Sequence, residues 1–179
     1  MNKFTSLCAV VVFLSAALVI ESQAQVKWAV GMRMGLNIGT GGPSTNIYNY
    51  FTGQYEKSGG TSAGFQFGPY GEVIFNKNMA IMEAFNINTQ TGTPIEWMSV
   101  FKYYFAISGS KIKPYADAGF SLIFATGGPY VAIPFGGGAL FPIAKNLYIP
   151  ADIQFGPIFV TGGAQFGISI TSGIRYEIP

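Results

Sequence analysis

The chain contains no histidine, and its single cysteine is Cys8. Imidazole bases and imidazole metal ligands are therefore excluded, as is a Ser-His nucleophilic arrangement. Cys8 lies in the apolar N-terminal stretch, so the chain after residue 24 has no thiol, disulfide or thiolate metal site. Charge is also scarce. Asp, Glu, Lys and Arg make up 10% of the 179 residues, against roughly 25% in soluble domains. The net charge is +2, with no basic cluster, so no nucleic-acid partner is expected. Low charge combined with 49% hydrophobic residues excludes disorder. After residue 24 no apolar run approaches the ~20 residues of a membrane helix, which excludes a helical bundle.

What is present begins with a leader. Lys3 is followed by an apolar stretch from Leu7 to Ile20 and by Ser22-Gln23-Ala24. This predicts an export signal over residues 1–24, cleaved after Ala24. Residues 25–179 then form one domain.

Turn signals divide that domain. They are Thr40-Gly41-Gly42-Pro43, Asn76-Lys77-Asn78, Gly92-Thr93-Pro94, Gly109-Ser110, Thr126-Gly127-Gly128-Pro129, Lys145-Asn146 and Thr161-Gly162-Gly163. Between them lie eight segments of roughly 10–15 residues, the length of membrane-crossing strands. Most alternate with period two. In the first, Trp28, Val30, Met32, Met34, Leu36 and Ile38 oppose Lys27, Ala29, Gly31, Arg33, Gly35 and Asn37. The sixth, Tyr130 to Ile143, is interrupted by Pro134, Gly136-Gly137-Gly138 and Pro142, and the glycines predict a bulge or a sharp bend in the barrel wall. The third, Met79 to Thr89, places Glu83 on the side of Ile81 and Phe85, which predicts a bulge or a changed register.

Alternation alone does not say which face is inside. The polar faces are built of Gly, Ala, Ser, Thr and Gln with few charges, which suits a crowded lumen better than water. The apolar faces carry too many large side chains for a small interior. Together with export, this predicts an all-β fold, an eight-stranded antiparallel transmembrane β-barrel with up-and-down meander topology. A soluble exported lipocalin-like barrel is the less favoured alternative. Aromatics near strand ends, among them Trp28, Phe105, Tyr148 and Tyr176 on one rim and Phe124, Phe159 and Phe166 on the other, predict interface girdles. The short lysine-bearing turns at Lys77, Lys111 and Lys145 are assigned to the periplasmic rim with both termini, and the Thr-Gly-Gly turns to the outer rim.

The polar faces carry both signs of charge. Arg33, Glu72, Glu96, Lys102, Asp117, Asp152 and Arg175 are predicted to form a structural charge network in the lumen, with Lys27, Lys113 and Glu177 as further members. Lys102 and Asp117 are equidistant from the Gly109-Ser110 turn and should face each other as an ion pair. Glu72 and Glu83 should be near-opposite across Lys77, with Arg33 supplying the cation. No catalytic, cofactor or metal site is predicted. Gly136-Gly137-Gly138 lacks the lysine of a phosphate loop, and Glu56 is the only acid in the outer loops. The first outer loop offers Tyr48, Asn49, Tyr50, Phe51 and Tyr55 as a recognition surface for an extracellular glycan or protein. The same residues could simply extend the hairpin beyond the membrane.

Pro94-Ile95-Glu96-Trp97 through Lys102-Tyr103-Tyr104-Phe105, followed by Lys113-Pro114-Tyr115-Ala116-Asp117-Ala118-Gly119, resembles small outer-membrane β-barrel proteins. The nearest look is the porin-family barrels common in Bacteroidetes, similar in build to OmpX and the OmpA barrel. Gly31, Gly35 and Leu36-Asn37-Ile38-Gly39 look like that family's first strand. The chain departs from the pattern in ending Tyr176-Glu177-Ile178-Pro179 rather than on an aromatic residue. The resemblance implies outer-membrane lipid and the barrel-insertion machinery as partners, and location more than activity. Barrel enzymes of this size rely on a histidine, so the expected function is non-enzymatic: a structural or surface-interaction protein, monomeric, with a narrow porin-like channel for ions or small solutes as the alternative.

Overall fold

Each alternating segment becomes a strand in the computed structural model, which describes residues 26–49, 54–90, 93–125, 128–160 and 163–179 and, outside 41–60, their side chains. The predicted export signal lies outside the described residues. The strands are β1 (Lys27–Asn49), β2 (Gln54–Ile74), β3 (Met79–Asn88), β4 (Ile95–Tyr104), β5 (Lys113–Ala125), β6 (Gly128–Ala132), β7 (Phe135–Ala144), β8 (Leu147–Val160) and β9 (Gly163–Ile178). All pairings are antiparallel, and β1 pairs with β9, from Trp28 opposite Ile178 to Thr40 opposite Phe166, so the sheet closes on itself.

Nine segments make eight staves. β6 and β7 share one register along β5, since Ser121 faces Ala132 and Ala118 faces Phe135. Along β8 the register is also continuous, from Ala132 opposite Ile158 to Phe135 opposite Phe155. The break falls at Ile133–Pro134, because proline has no N–H to donate to the ladder. Carbonyl and amide bonds still cross it: the Gly119 amide donates to the Pro134 carbonyl at 2.9 Å. The bulge or sharp bend expected at Gly136-Gly137-Gly138 does not interrupt the pairing. These glycines pair in register with Asp117, Ala116 and Tyr115. The register shift lies beyond them, between Pro142 and Ala144.

Burial settles which face is inside. Trp28, Val30, Met32, Met34 and Leu36 on β1 are exposed, as are Ile149 and Ile153 on β8 and Ile170 and Ile174 on β9. Buried instead are Arg33, Gln66, Glu72, Asn86, Lys102, Asp117, Gln154 and Arg175. An apolar wall around a polar interior is the inverse of a water-facing barrel and is the pattern of a membrane-spanning one, so the soluble alternative is set aside. Glycine makes room for the largest inner side chains. A Cβ on Gly31 would sit 2.6 Å from the Tyr70 ring, and one on Gly138 would sit 2.9 Å from Tyr115 Oη.

The short turns follow local chemistry. The Asn78 amide donates to Asn76 Oδ1 at 2.8 Å, an Asx turn. Gly109 and Asn146 take positive φ, 77° and 62°, in the region those residues tolerate best. At the opposite rim β1 and β2 continue as a ribbon past the neighbouring strands. Pairing runs on to Tyr48 opposite Tyr55 and Asn49 opposite Gln54, whereas β9 leaves β1 at Thr40.

Two expectations are corrected here. β3 holds one register against β4, from Met79 opposite Tyr103 to Ile87 opposite Ile95. It has no bulge, and Glu83 lies on the outer wall. Tyr148 is not in the rim girdle. Its ring lies inside, 5.4 Å from the Arg175 guanidinium and 4.9 Å from Lys113 Nζ. Trp28, Phe105 and Tyr176 on that rim, and Phe124, Phe159 and Phe166 on the other, are exposed.

Candidate functional site

The lumen is the place where this chain concentrates polar chemistry, and period two puts it there. Inner residues of neighbouring strands meet in rows, and long side chains then reach across the barrel. Near the rim where β1 starts and β9 ends, Arg175 on β9 is the hub. Its Nε donates to Glu72 Oε2 at 2.9 Å and its Nη1 to Glu177 Oε1 at 2.7 Å. Lys113 Nζ reaches Glu177 Oε1 at 3.4 Å. The Tyr104 hydroxyl donates to the other oxygen of Glu72. Arg175 and Glu72 are 1% and 0% exposed, so this is a pair fully removed from solvent.

Above it sits Lys102. The expected ion pair with Asp117 is corrected: the two residues do face each other in register, but the ammonium stacks instead on the Tyr115 ring, 4.5 Å from its centroid. Tyr70 lies on a second side at 5.9 Å. Aromatic faces stabilise a desolvated cation through the ring quadrupole. From there Lys102 acts electrostatically on both Glu72 and Asp117. Tyr115 is pinned in turn, since its hydroxyl donates to Asp152 and its ring packs edge-on to Tyr104 at 5.4 Å. Leu140 and Ala80 complete the layer.

The half towards the other rim is held by amides. Arg33 Nη2 donates to Gln154 Oε1 at 3.2 Å and to Thr171 Oγ1 at 3.0 Å. Gln154 passes the connection on, donating from Nε2 to Asp117 Oδ2 at 3.0 Å. Glu96 accepts from Asn86 Nδ2 at 3.0 Å. Gln66 donates to Ser169, and Asn37 donates to Gln66 and Asn88. Among these residues lies a cavity of about 50 Å³, lined by Arg33, Asn37, Gln66, Glu96, Ser121 and Gln154. Arg33 Nε, Asn86 Oδ1, Asp117 Oδ1 and Ser121 Oγ are buried with no protein partner. That mixture of donors and acceptors suits water.

Arg33, Glu72, Glu96, Lys102, Asp117, Asp152 and Arg175 thus all point inward, in two groups. Glu72, Arg175, Lys102 and Asp152 lie together near the terminal rim. Arg33, Asp117 and Glu96 lie with the amides. The cation beside Glu72 is Arg175, not Arg33; Glu83 is near-opposite Glu72 in register, as expected, but on the other face of the sheet. Sequence reasoning missed Tyr70, Tyr104, Tyr115, Tyr148 and Gln154 as members. Their inner parity was the available signal, and their partners were not, because each partner sits on a strand distant in sequence. Of the loop residues, Tyr48, Asn49 and Tyr55 have paired backbone, and Tyr50 and Phe51 lie outside the described residues. Among the described residues no group of three or more acids could hold a metal ion.

Replacing Lys102 by Met leaves Glu72 and Asp117 with one cation fewer. The expected loss is about 1–3 kcal/mol, the range for a buried polar group left under-partnered. Lys77→Met, on an exposed turn, should change stability by less than about 0.5 kcal/mol. Urea titration of the two variants in lipid vesicles checks the difference.

The chain matches no protein-family profile and no curated protein. Solved structures share its fold at low identity. Neisserial surface protein A superposes with a TM-score of 0.66 at 14% identity, over 84% of this chain and 97% of that one. The N-terminal β-barrel domain of Pseudomonas aeruginosa OprF gives 0.58 at 9% identity, over 87% and 98%. The outer membrane protein OprG from Pseudomonas aeruginosa gives 0.53 at 9% identity, over 88% and 99%. The chain therefore has the fold of small outer-membrane barrels.

Proposed function

We propose that this chain is a non-enzymatic barrel of an outer membrane, of the Bacteroidetes porin-family type, with a structural or surface-interaction role. The observation that carries the reading is the closed layer of Arg175, Glu72, Lys102 and Leu140, each at most 1% exposed. A lumen filled at that level has no continuous water path, so a porin-like role is the weaker reading. The outer-membrane location is supported by the apolar outer wall, the shared fold and the export signal expected from sequence over residues 1–24. In that location the termini and the lysine-bearing turns face the periplasm, and the β1–β2 ribbon projects outside. The ribbon, which pairs as far as Tyr48 opposite Tyr55 and Asn49 opposite Gln54, is the surface that would meet an extracellular glycan or protein, with Tyr50 and Phe51 of the same sequence segment as further candidates. Lipid surrounds the wall, and the barrel-insertion machinery is the partner during assembly.

The test is electrical. The purified barrel in a planar lipid bilayer should give no conductance steps above the lipid background. Regular steps would replace this reading with that of a narrow channel. A companion measurement replaces residues 41–60 by a short turn. Cells carrying the shortened barrel should lose attachment to immobilised host glycoprotein while keeping heat-modifiable migration on a denaturing gel.

A further inference from the structure

Lysine is scattered along the sequence, but closing the barrel gathers it. The rim where β1 starts and β9 ends has four corners: the start of β1 and the β2–β3, β4–β5 and β7–β8 turns. Each corner carries lysine: Lys27, then Lys77, then Lys111 with Lys113, then Lys145. All five are exposed. The acid at that rim is Glu177, and Arg175 and Lys113 already hold it. Glu72 lies beneath, paired with Arg175. Among the described residues Lys27, Lys77, Lys111 and Lys145 have no carboxylate within ion-pair distance. The opposite rim is different. Its turns at 89–94, 126–127 and 161–162 contain no charged residue, and the ribbon beside them carries one of each sign, Lys57 and Glu56.

The lysines begin where the apolar wall ends. Trp28, Met79, Ile112 and Ile143 are exposed, and each stands within two positions of Lys27, Lys77, Lys111 or Lys145. Phe105, Ile107 and Tyr176 complete the same apolar edge. Hydrocarbon around this wall therefore reaches the turns, and the ammonium groups stand just beyond it. A lysine stem lies along apolar surface and holds its charge in the polar layer. The turns at 75–78 and 145–146 are short, so they do not lift their lysines away from that layer. What occupies this depth in a bilayer is the phosphate of a phospholipid. A zwitterionic headgroup brings its own ammonium, which competes with the lysines. An anionic headgroup supplies the counter-charge that the protein itself does not.

We propose that this lysine rim is a docking surface for anionic phospholipid headgroups, so that the barrel gathers anionic lipid around one end and not the other. The proposal rests on the membrane reading given above and is independent of whether the lumen conducts.

The two tryptophans allow the test. Trp28 adjoins Lys27, and Trp97 lies on the wall in the half towards the opposite rim. Trp97→Phe leaves Trp28 as the reporter, and Trp28→Phe leaves Trp97. Each barrel is reconstituted in mixtures of phosphatidylcholine and phosphatidylglycerol in which one lipid or the other carries brominated chains, which quench a tryptophan they touch. Quenching of Trp28 should show about a fivefold preference for phosphatidylglycerol, the fold-change that one lysine beside an anionic headgroup supplies. Trp97 should show no preference. With Lys27→Gln, Lys77→Gln, Lys111→Gln and Lys145→Gln combined, the preference at Trp28 should fall below about twofold, and 1 M salt, where the screening length is about 3 Å, should do the same. Lys27→Gln alone, beside the reporter, should lower it by about half or more. Heat-modifiable migration reports that each variant has folded. Equal quenching of Trp28 by the two lipids, the same preference at Trp97, or a full preference in the folded four-lysine variant or in Lys27→Gln would each overturn the headgroup surface and leave the barrel in its membrane. No quenching of Trp28 by either lipid would overturn the membrane reading itself.

Discussion

Glu72→Gln is expected to destabilise the barrel by about 3–5 kcal/mol, the cost of breaking a buried pair by removing one partner. The substitution keeps the size of the side chain and an oxygen for Tyr104, so what it removes is the charge. Arg175 Nε then faces a neutral amide in a site where it is 1% exposed. Lys102 loses a carboxylate as well, since Glu72 lies within its electrostatic reach. Two cations are left in a low-dielectric layer. Glu177→Gln is the control, because that carboxylate lies nearer the rim and is 16% exposed. Water screens it, and its loss should cost about 1 kcal/mol or less. Urea unfolding in lipid vesicles, followed by the fluorescence of Trp28 and Trp97, measures both. The double variant Glu72→Gln/Arg175→Met should recover part of the loss, because it removes the guanidinium that has lost its buried carboxylate and keeps only Glu177 near the rim. A loss below about 1 kcal/mol for Glu72→Gln would mean that the layer is hydrated, and the case for a closed lumen would fall with it.

That layer also marks the boundary of what the sequence makes legible. Parity along β1 places Trp28, Val30 and Met32 outside and Arg33 inside, because a strand has only two faces. Counting from the Gly109-Ser110 turn puts Lys102 opposite Asp117, because a hairpin fixes its own register. Both inferences use neighbours in the chain. The lumen contacts do not. Glu72 meets Arg175 at a separation of 103 residues, and Arg33 meets Gln154 at 121. Such partners depend on barrel closure and strand tilt, which no local pattern encodes. Lys102 shows the consequence: its register was readable, but the Tyr115 ring that takes its ammonium was not.

Glu83 failed for a different reason. The alternation itself placed it outside with Ile81 and Phe85. Only the expectation that an acid avoids lipid argued for a bulge, and the unbroken register of β3 against β4 overrules that expectation. The missing information was Ser99, the odd polar residue on the apolar side of β4. Two exceptions to the pattern, directly opposite each other, form one hydrogen-bonded unit. Pro134 is the converse case. It interrupts the hydrogen-bond ladder without shifting the register, so a residue that reads as a strand breaker leaves eight staves intact.

Ile170→Arg is the complementary test of which solvent the outer wall meets. Ile170 on β9 is 50% exposed and faces Leu36 on one side and Ile153 on the other. Its cross-strand neighbours are apolar, with no carboxylate to receive a guanidinium. In a bilayer, arginine on such a wall costs about 2–4 kcal/mol at the midplane and falls towards zero near the interfaces. In water the same exchange on an exposed strand position would change stability by about 0.5 kcal/mol or less. The effect therefore follows the solvent rather than any contact inside the protein. Moving the substitution towards the rim should weaken it, so Ile178→Arg, where β9 ends, is expected to cost less than about 1 kcal/mol. Equal costs at residues 170 and 178 would argue against a hydrocarbon layer around this wall. A depth-dependent cost, measured by reversible unfolding from vesicles, ties the exposed apolar residues to lipid and explains why Glu83 could persist among them only with two donors beside it.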